Sequence, residues 1–244
     1  MEIRGAVVLP ARREEVELAT PDGLTLVGEL ALPEDRPPAG TAVMLHPLPT
    51  HGGSMDSHLI RKAAARLPAL ADLAVLRFNT RGTSSPRGTS EGRFDRGDAE
   101  RGDVAAAMAL VADRGLPRPW LVGWSFGTEL ALRYGPLHPI EGAILISPPL
   151  RRTSPEELRA WAGGPRALVA LIPEFDDYLR PAEAMERFAV VPHARVIPVA
   201  GAKHLFVGET YTRRVLSEIV AAMRPGAPAL PVEWDEVTAR SDAG

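Results

Sequence analysis

The sequence contains no cysteine. Disulfide bonds are therefore impossible, and chemistry that runs through a thiolate nucleophile is excluded. A run of Lys and Arg is also missing. The arginines are scattered among acidic neighbours, as in Arg93-Phe94-Asp95-Arg96-Gly97-Asp98-Ala99-Glu100-Arg101, the pattern of a solvated surface rather than a nucleic-acid footprint. No apolar run reaches the length of a membrane span. The patch Ala6-Val7-Val8-Leu9 is too short for a signal-peptide core. These absences lead to the expectation of a soluble cytoplasmic protein with neither a nucleic acid nor a membrane as partner; oligomeric state is not readable.

What is present suits one large α/β domain. The chain has 244 residues, 45% apolar and 24% charged, with a formal net charge of −3, which is ample core material with an ordinary soluble surface. Alternation from Glu15 to Thr20, the turn signal Pro21-Asp22-Gly23 and renewed alternation from Leu24 to Leu32 predict an edge hairpin. After a loop at 33–40 the pattern changes: Thr41–Leu45 is a short continuous apolar run, as expected for a strand buried on both faces, and Leu73–Phe78 reads as another buried strand. Further strands are expected at Trp120–Gly123, Ala143–Ile146, Ala167–Ile172 and Arg195–Val199. Helical patterns intervene at 57–70, 98–113, 127–134, 182–188 and 209–223. Strands alternating with helices predict a mostly parallel sheet covered on both faces, with ligands bound beyond the carboxyl ends of the strands. The domain is expected over 1–224, followed at 225–244 by a Pro-, Ala- and acid-rich, loosely held tail that Trp234 could pin.

The segment Gly123-Trp124-Ser125-Phe126-Gly127 sits between a predicted strand and a predicted helix. Gly-x-Ser-x-Gly in that context makes a tight turn that thrusts the serine hydroxyl out over the sheet. A hydroxyl needs a base to become a nucleophile. Of the histidines late in the chain, His193 precedes its strand and belongs at the opposite edge of the sheet. His204 follows the strand 195–199, in a loop at its carboxyl end, and is the expected base. The acid that orients it should follow the strand 167–172, where Glu174, Asp176 and Asp177 stand. Asp176 is favoured and Asp177 is next. Acyl transfer also needs two N–H donors for the developing oxyanion. The amide of Phe126 is one. The loop after strand 41–45 supplies the other, and Leu48, flanked by Pro47 and Pro49, is its natural donor.

Together, His46 to Asp56, Arg77-Phe78-Asn79-Thr80-Arg81-Gly82, Gly123 to Gly127, Pro173-Glu174-Phe175-Asp176 and Gly201 to Phe206 resemble the small lidless α/β-hydrolases of the esterase-like kind, over about Leu24 to Met223. The resemblance implies the α/β-hydrolase fold, a triad of Ser125, Asp176 and His204, and oxyanion donors Leu48 and Phe126. It also favours Asp176 over Asp177, because Glu174 fits the Gly-Glu-x-Asp pattern. Pro173 replaces that pattern's glycine, and His46-Pro47 replaces the commoner His-Gly start.

About 20 residues separate the strands ending at Ile146 and starting near Ala167, too few for a separate cap domain. An open site is expected, with Trp124, Leu150, Trp161, Leu205 and Phe206 as candidate apolar walls beside Phe126. The spacing of His46, His51 and His58 does not suit a metal, so no metal or other cofactor is expected, and His46 is read as a brace for the oxyanion loop. The expected function is hydrolysis of a small to medium acyl ester through an acyl-enzyme. Amide, peptide or thioester cleavage by the same residues is the first alternative, and a non-catalytic binding protein on the same fold the second.

Overall fold

A computed structural model describes residues 1–235. In chain order its elements are β1 (Arg12–Ala19), β2 (Thr25–Leu32), β3 (Gly40–Leu45), α1 (His58–Ala71), β4 (Leu73–Phe78), β5 (Ser84–Ser85), β6 (Gly88–Thr89), α2 (Arg101–Asp113), β7 (Pro119–Trp124), α3 (Phe126–Tyr134), β8 (Gly142–Ile146), α4 (Pro155–Arg159), β9 (Ala167–Phe175), α5 (Pro181–Phe188), β10 (Arg195–Lys203) and α6 (Glu209–Met223).

Eight strands form one sheet in the order β1-β2-β4-β3-β7-β8-β9-β10, with β5 and β6 as a small separate ribbon. The edge hairpin pairs Arg12 with Leu32 through Ala19 with Thr25. β2 runs antiparallel to β4, and every pairing from β4 to β10 is parallel. Strands β3, β4 and β8 are buried at every position, which is why they read as mostly apolar runs, with Arg77 the one charged residue in β4. Two cores result. Leu59, Ile60 and Leu67 of α1 and Leu216, Ile219 and Met223 of α6 cover one face. Val104 and Met108 of α2, Leu130 and Leu132 of α3 and Phe188 of α5 cover the other.

The chain order places the site. From β3 the chain moves outward to β4 and then returns across β3 to β7. Loops leaving β3 and β7 therefore diverge to opposite faces and leave a crevice at their carboxyl ends. The predicted nucleophile turn and the oxyanion loop are those two loops. Only the five-residue α4, with a Ser154–Glu157 capping box, interrupts the connection from β8 to β9, so no cap domain stands there.

Three differences from the sequence reading bear on the site. β9 and β10 run on to Phe175 and Lys203, beyond their apolar runs, because β10 pairs along β9 with a register shift between Val199 and Lys203. His204 consequently follows its strand directly instead of lying in a free loop. The short α4 carries no long periodic signal and is absent from the sequence reading. The expected tail at 225–244 falls partly outside the described residues. Within them, Trp234 donates its amide to the Met1 carbonyl at 2.7 Å, and Glu2 bridges to Glu233. Among the described residues no helix is long and apolar enough to cross a membrane.

Candidate active site

Ser125 sits between β7 and α3 with φ 52° and ψ −114°. This left-handed conformation is strained for a residue with a side chain and persists only where surrounding structure enforces it. The neighbouring glycines allow that enforcement. A Cβ at Gly123 would collide with the backbone of Gly127, and one at Gly127 with the Leu45 carbonyl. Strand, turn and helix thus approach until only hydrogen fits between them. The Ser125 amide is tied to the Ile146 carbonyl at 2.8 Å, and its hydroxyl is left at the floor of an open cleft.

His204 Nε2 lies 2.9 Å from Ser125 Oγ. Its Nδ1 lies 2.9 Å from Asp176 Oδ2 and 3.2 Å from Oδ1. The carboxylate can only accept, so Nδ1 carries the proton and Nε2 faces the serine hydroxyl as an acceptor. Asp176 is buried, and its Oδ1 also accepts the amides of Tyr178 at 2.8 Å and Leu179 at 3.3 Å. Asp177, the runner-up, is exposed and points to the rim, and Glu174 binds the Gly201 amide at 2.7 Å. His193 stays at the far edge, its Nε2 3.1 Å from the Arg166 carbonyl.

The backbone of the His204 turn is held by three donors from other elements. The Ser147 hydroxyl donates to the His204 carbonyl at 2.7 Å, and the Trp124 indole N–H reaches the same oxygen at 3.4 Å. His58 Nε2 donates to the Leu205 carbonyl at 2.9 Å. No sequence pattern pointed to Ser147, and His58 drew notice only for a metal, since the partners of both are backbone atoms distant in the chain.

Leu48 and Phe126 line the same cleft as Ser125 and His204. Phe126 is the first residue of α3, where an amide has no partner within the helix. Leu48 leads a single 3-10 turn at Pro49–His51, its carbonyl accepts the amides of His51 and Gly53, and its own amide donates no bond among the described residues. His46, fully buried, ties this loop to the end of β4. Nε2 accepts the Thr80 amide at 3.0 Å, so the proton sits on Nδ1, which donates to the Pro47 carbonyl at 2.7 Å. Burial lowers the His46 pKa to about 4, against the pull of that carbonyl, and keeps the ring neutral. Arg77, also buried, holds the loop from below through the Met55 carbonyl at 3.1 Å and Asp56 at 2.6 Å, while Glu29 binds its Nε at 2.8 Å.

The cleft has a volume of about 620 Å³. Of the five apolar wall residues expected from the sequence, only Leu205 lines it. The other four are corrected as follows. Trp124 is buried under the His204 turn, edge-on to His58. Trp161 is fully buried and donates its indole N–H to the Leu132 carbonyl at 2.9 Å. Leu150 and Phe206 have φ of 48° and 47°, which turns both side chains into the core. Their neighbours take the cleft instead: Pro149, Arg151 and Arg152 beside Leu150, with Asp177, Tyr178 and Glu129. A reading by hydrophobicity passes over such residues, because a wall of an open cleft is also a surface.

The model of the alpha/beta hydrolase family matches residues 42–240. Comparison with curated protein sequences gives no match. Among solved structures, an α/β serine hydrolase without a lid from Xanthomonas campestris is 27% identical, with a TM-score of 0.70 over 91% of this chain and 99% of that one. An α/β serine hydrolase homologue from Coxiella burnetii is 22% identical, with a TM-score of 0.71 over 88% and 97%. An esterase from Pyrococcus furiosus is 19% identical, with a TM-score of 0.71 over 90% and 96%, and is similar in fold. With its sheet order, its strained serine turn and this match along most of its length, the chain belongs to the alpha/beta hydrolase family.

Proposed function

We propose that this protein is a serine hydrolase that cleaves small to medium acyl esters through an acyl-enzyme, with Ser125, His204 and Asp176 as its triad. The observation that carries the reading is the continuous line from Ser125 Oγ through both nitrogens of His204 to Asp176, at 2.9 Å per step, at the floor of an open cleft. Ser125 Oγ attacks the acyl carbonyl and His204 Nε2 takes its proton. Asp176 holds the ring in the tautomer that can do so and stabilises the imidazolium. The amides of Leu48 and Phe126 receive the charge that develops on the carbonyl oxygen, each being worth about 2.7–4 kcal/mol of barrier. The tetrahedral intermediate collapses, the alcohol leaves with the proton from His204, and water repeats the cycle on the acyl-enzyme to release the acid.

The test is hydrolysis of short p-nitrophenyl esters by the wild type and by Ser125→Ala, with fluorophosphonate labelling alongside. Removal of the nucleophile should lower kcat by roughly three orders of magnitude or more and abolish labelling. Equal rates in the two proteins would end this reading.

A further inference from the structure

One end of the cleft carries an organised cation that the triad does not use. The guanidinium of Arg151 lies 4.5 Å above the Tyr178 ring. That ring stands edge-on to the His204 ring, 4.5 Å between centroids. The Tyr178 amide is itself held by Asp176. On the other side, the Arg151 amide donates to buried Glu129 at 2.7 Å. Arg151 is thereby fixed relative to the reacting atoms from both directions, although its side chain is at the surface.

Its donors are nonetheless unspent. Among the described residues neither Arg151 nor Arg152 makes an ion pair, whereas the more deeply set Arg77, Arg81 and Arg133 are each held by two carboxylates. Neither carboxylate of the cleft forms an ion pair with them among the described residues. Glu129 is almost fully buried, with one oxygen on the Arg151 amide and the other on the Thr153 hydroxyl. Asp177 is exposed and pairs with nothing. A guanidinium held over an aromatic face keeps its N–H donors, and a free guanidinium can take an oxyanion in two parallel hydrogen bonds.

We propose that the substrate of this site carries an oxyanionic group, carboxylate or phosphate, away from its scissile acyl bond, and that Arg151, assisted by Arg152, receives it at the rim. This rests on the ester-hydrolase reading. It narrows the substrate from acyl esters in general to acidic ones.

The experiment compares kcat/KM for three matched esters that differ only in the far end of the acyl chain: a free carboxylate, its methyl-capped neutral counterpart and a phosphate. The wild type should prefer at least one anionic ester to the neutral one, and which of the two identifies the group. The anionic-to-neutral ratio should fall about ten-fold or more in Arg151→Gln, fall further with Arg152→Gln added, and shrink for the wild type as salt is raised. Asp177→Asn should raise it. Using the ratio removes any shared loss of folded protein. A wild-type ratio at or below one for both anionic esters, or a ratio unmoved in Arg151→Gln, overturns this inference alone. Failure to cleave any ester, with no fluorophosphonate on Ser125, overturns the hydrolase reading and this inference with it.

Discussion

The turn at Ser125 and the wall facing it are made in different ways. The turn is five consecutive residues whose backbone closes the geometry: Gly123 and Gly127 leave no room for a Cβ, Trp124 between them is buried, and Ser125 and Phe126 border the cleft. The wall is drawn from four separate stretches, around 47–51, 149–152, 177–178 and 205. In each late stretch the chain alternates between core and cleft. Leu150 turns in while Pro149 and Arg151 turn out, Phe206 turns in while Leu205 turns out, and Asp176 turns in while Asp177 and Tyr178 turn out. Where steric necessity fixes direction, residue type is enough to place a group. Where the chain only borders a cleft, local backbone conformation decides which of two neighbours faces it, through a single positive φ at Leu150 and at Phe206.

The sharpest test of that contrast is Trp161→Ala. If Trp161 is core, packed on Gly135 in the same cluster as Ile140 and bonded to Leu132, its loss should cost about 3–5 kcal/mol. The melting temperature should fall on the order of 10 °C, with KM of the surviving folded enzyme little changed. An unchanged melting temperature with a raised KM would restore it to the wall.

A second test concerns the oxyanion loop, which resembles the turn more than the wall because a buried ring anchors it. His46 has its pKa lowered to about 4 in the fold, below the ordinary histidine value near 6.5. As pH falls between those two values the unfolded chain takes up a proton that the native ring refuses, so stability drops with falling pH and levels off below the lower value. The contribution is on the order of 3 kcal/mol across that window. In His46→Gln, which cannot titrate, the free energy of urea unfolding should change by that much less between pH 7 and pH 4 than in the wild type. Equal slopes in the two proteins would mean that His46 is not the neutral brace described here.

Much of this was legible in advance for a physical reason. Strands buried on both faces must be apolar throughout, so β3, β4, β7 and β8 announce themselves, and with them the chain order that makes the crevice. Ser125, Asp176 and His204 could be proposed because each was expected just past the carboxyl end of a predicted strand; β7 and β9 are buried along most of their length, whereas β10 is an edge strand and largely exposed. Residues acting through backbone carbonyls escaped notice: Ser147 and His58 on the His204 turn depend on contacts 57 and 147 residues away in the chain. The extension of β10 to Lys203 was hidden because Ala200-Gly201-Ala202-Lys203 is made of small residues and a lysine, mostly exposed, and is held by pairing with β9 and not by a run of large apolar side chains. Hydrophobicity could not separate Trp161 from Leu205 either, since it measures affinity for any apolar neighbour, core or ligand.

Leu205 makes the smallest and most discriminating case. It is 52% exposed, so truncation leaves no cavity and should change stability by no more than about 0.5 kcal/mol. Yet it borders Ser125 and His204, and an acyl chain lying across the cleft would cover it. Each methylene an ester buries against an apolar wall is worth roughly 0.8 kcal/mol. Leu205→Ala should therefore lower kcat/KM several-fold for a hexanoyl ester and hardly at all for an acetyl ester, whose acyl group is too short to reach beyond the nucleophile. An equal loss on both esters would locate the effect in the adjoining His204 turn. No loss on either would leave the acyl chain to run along Leu48 and Phe126 instead, and the wall of this site would then be the oxyanion loop itself.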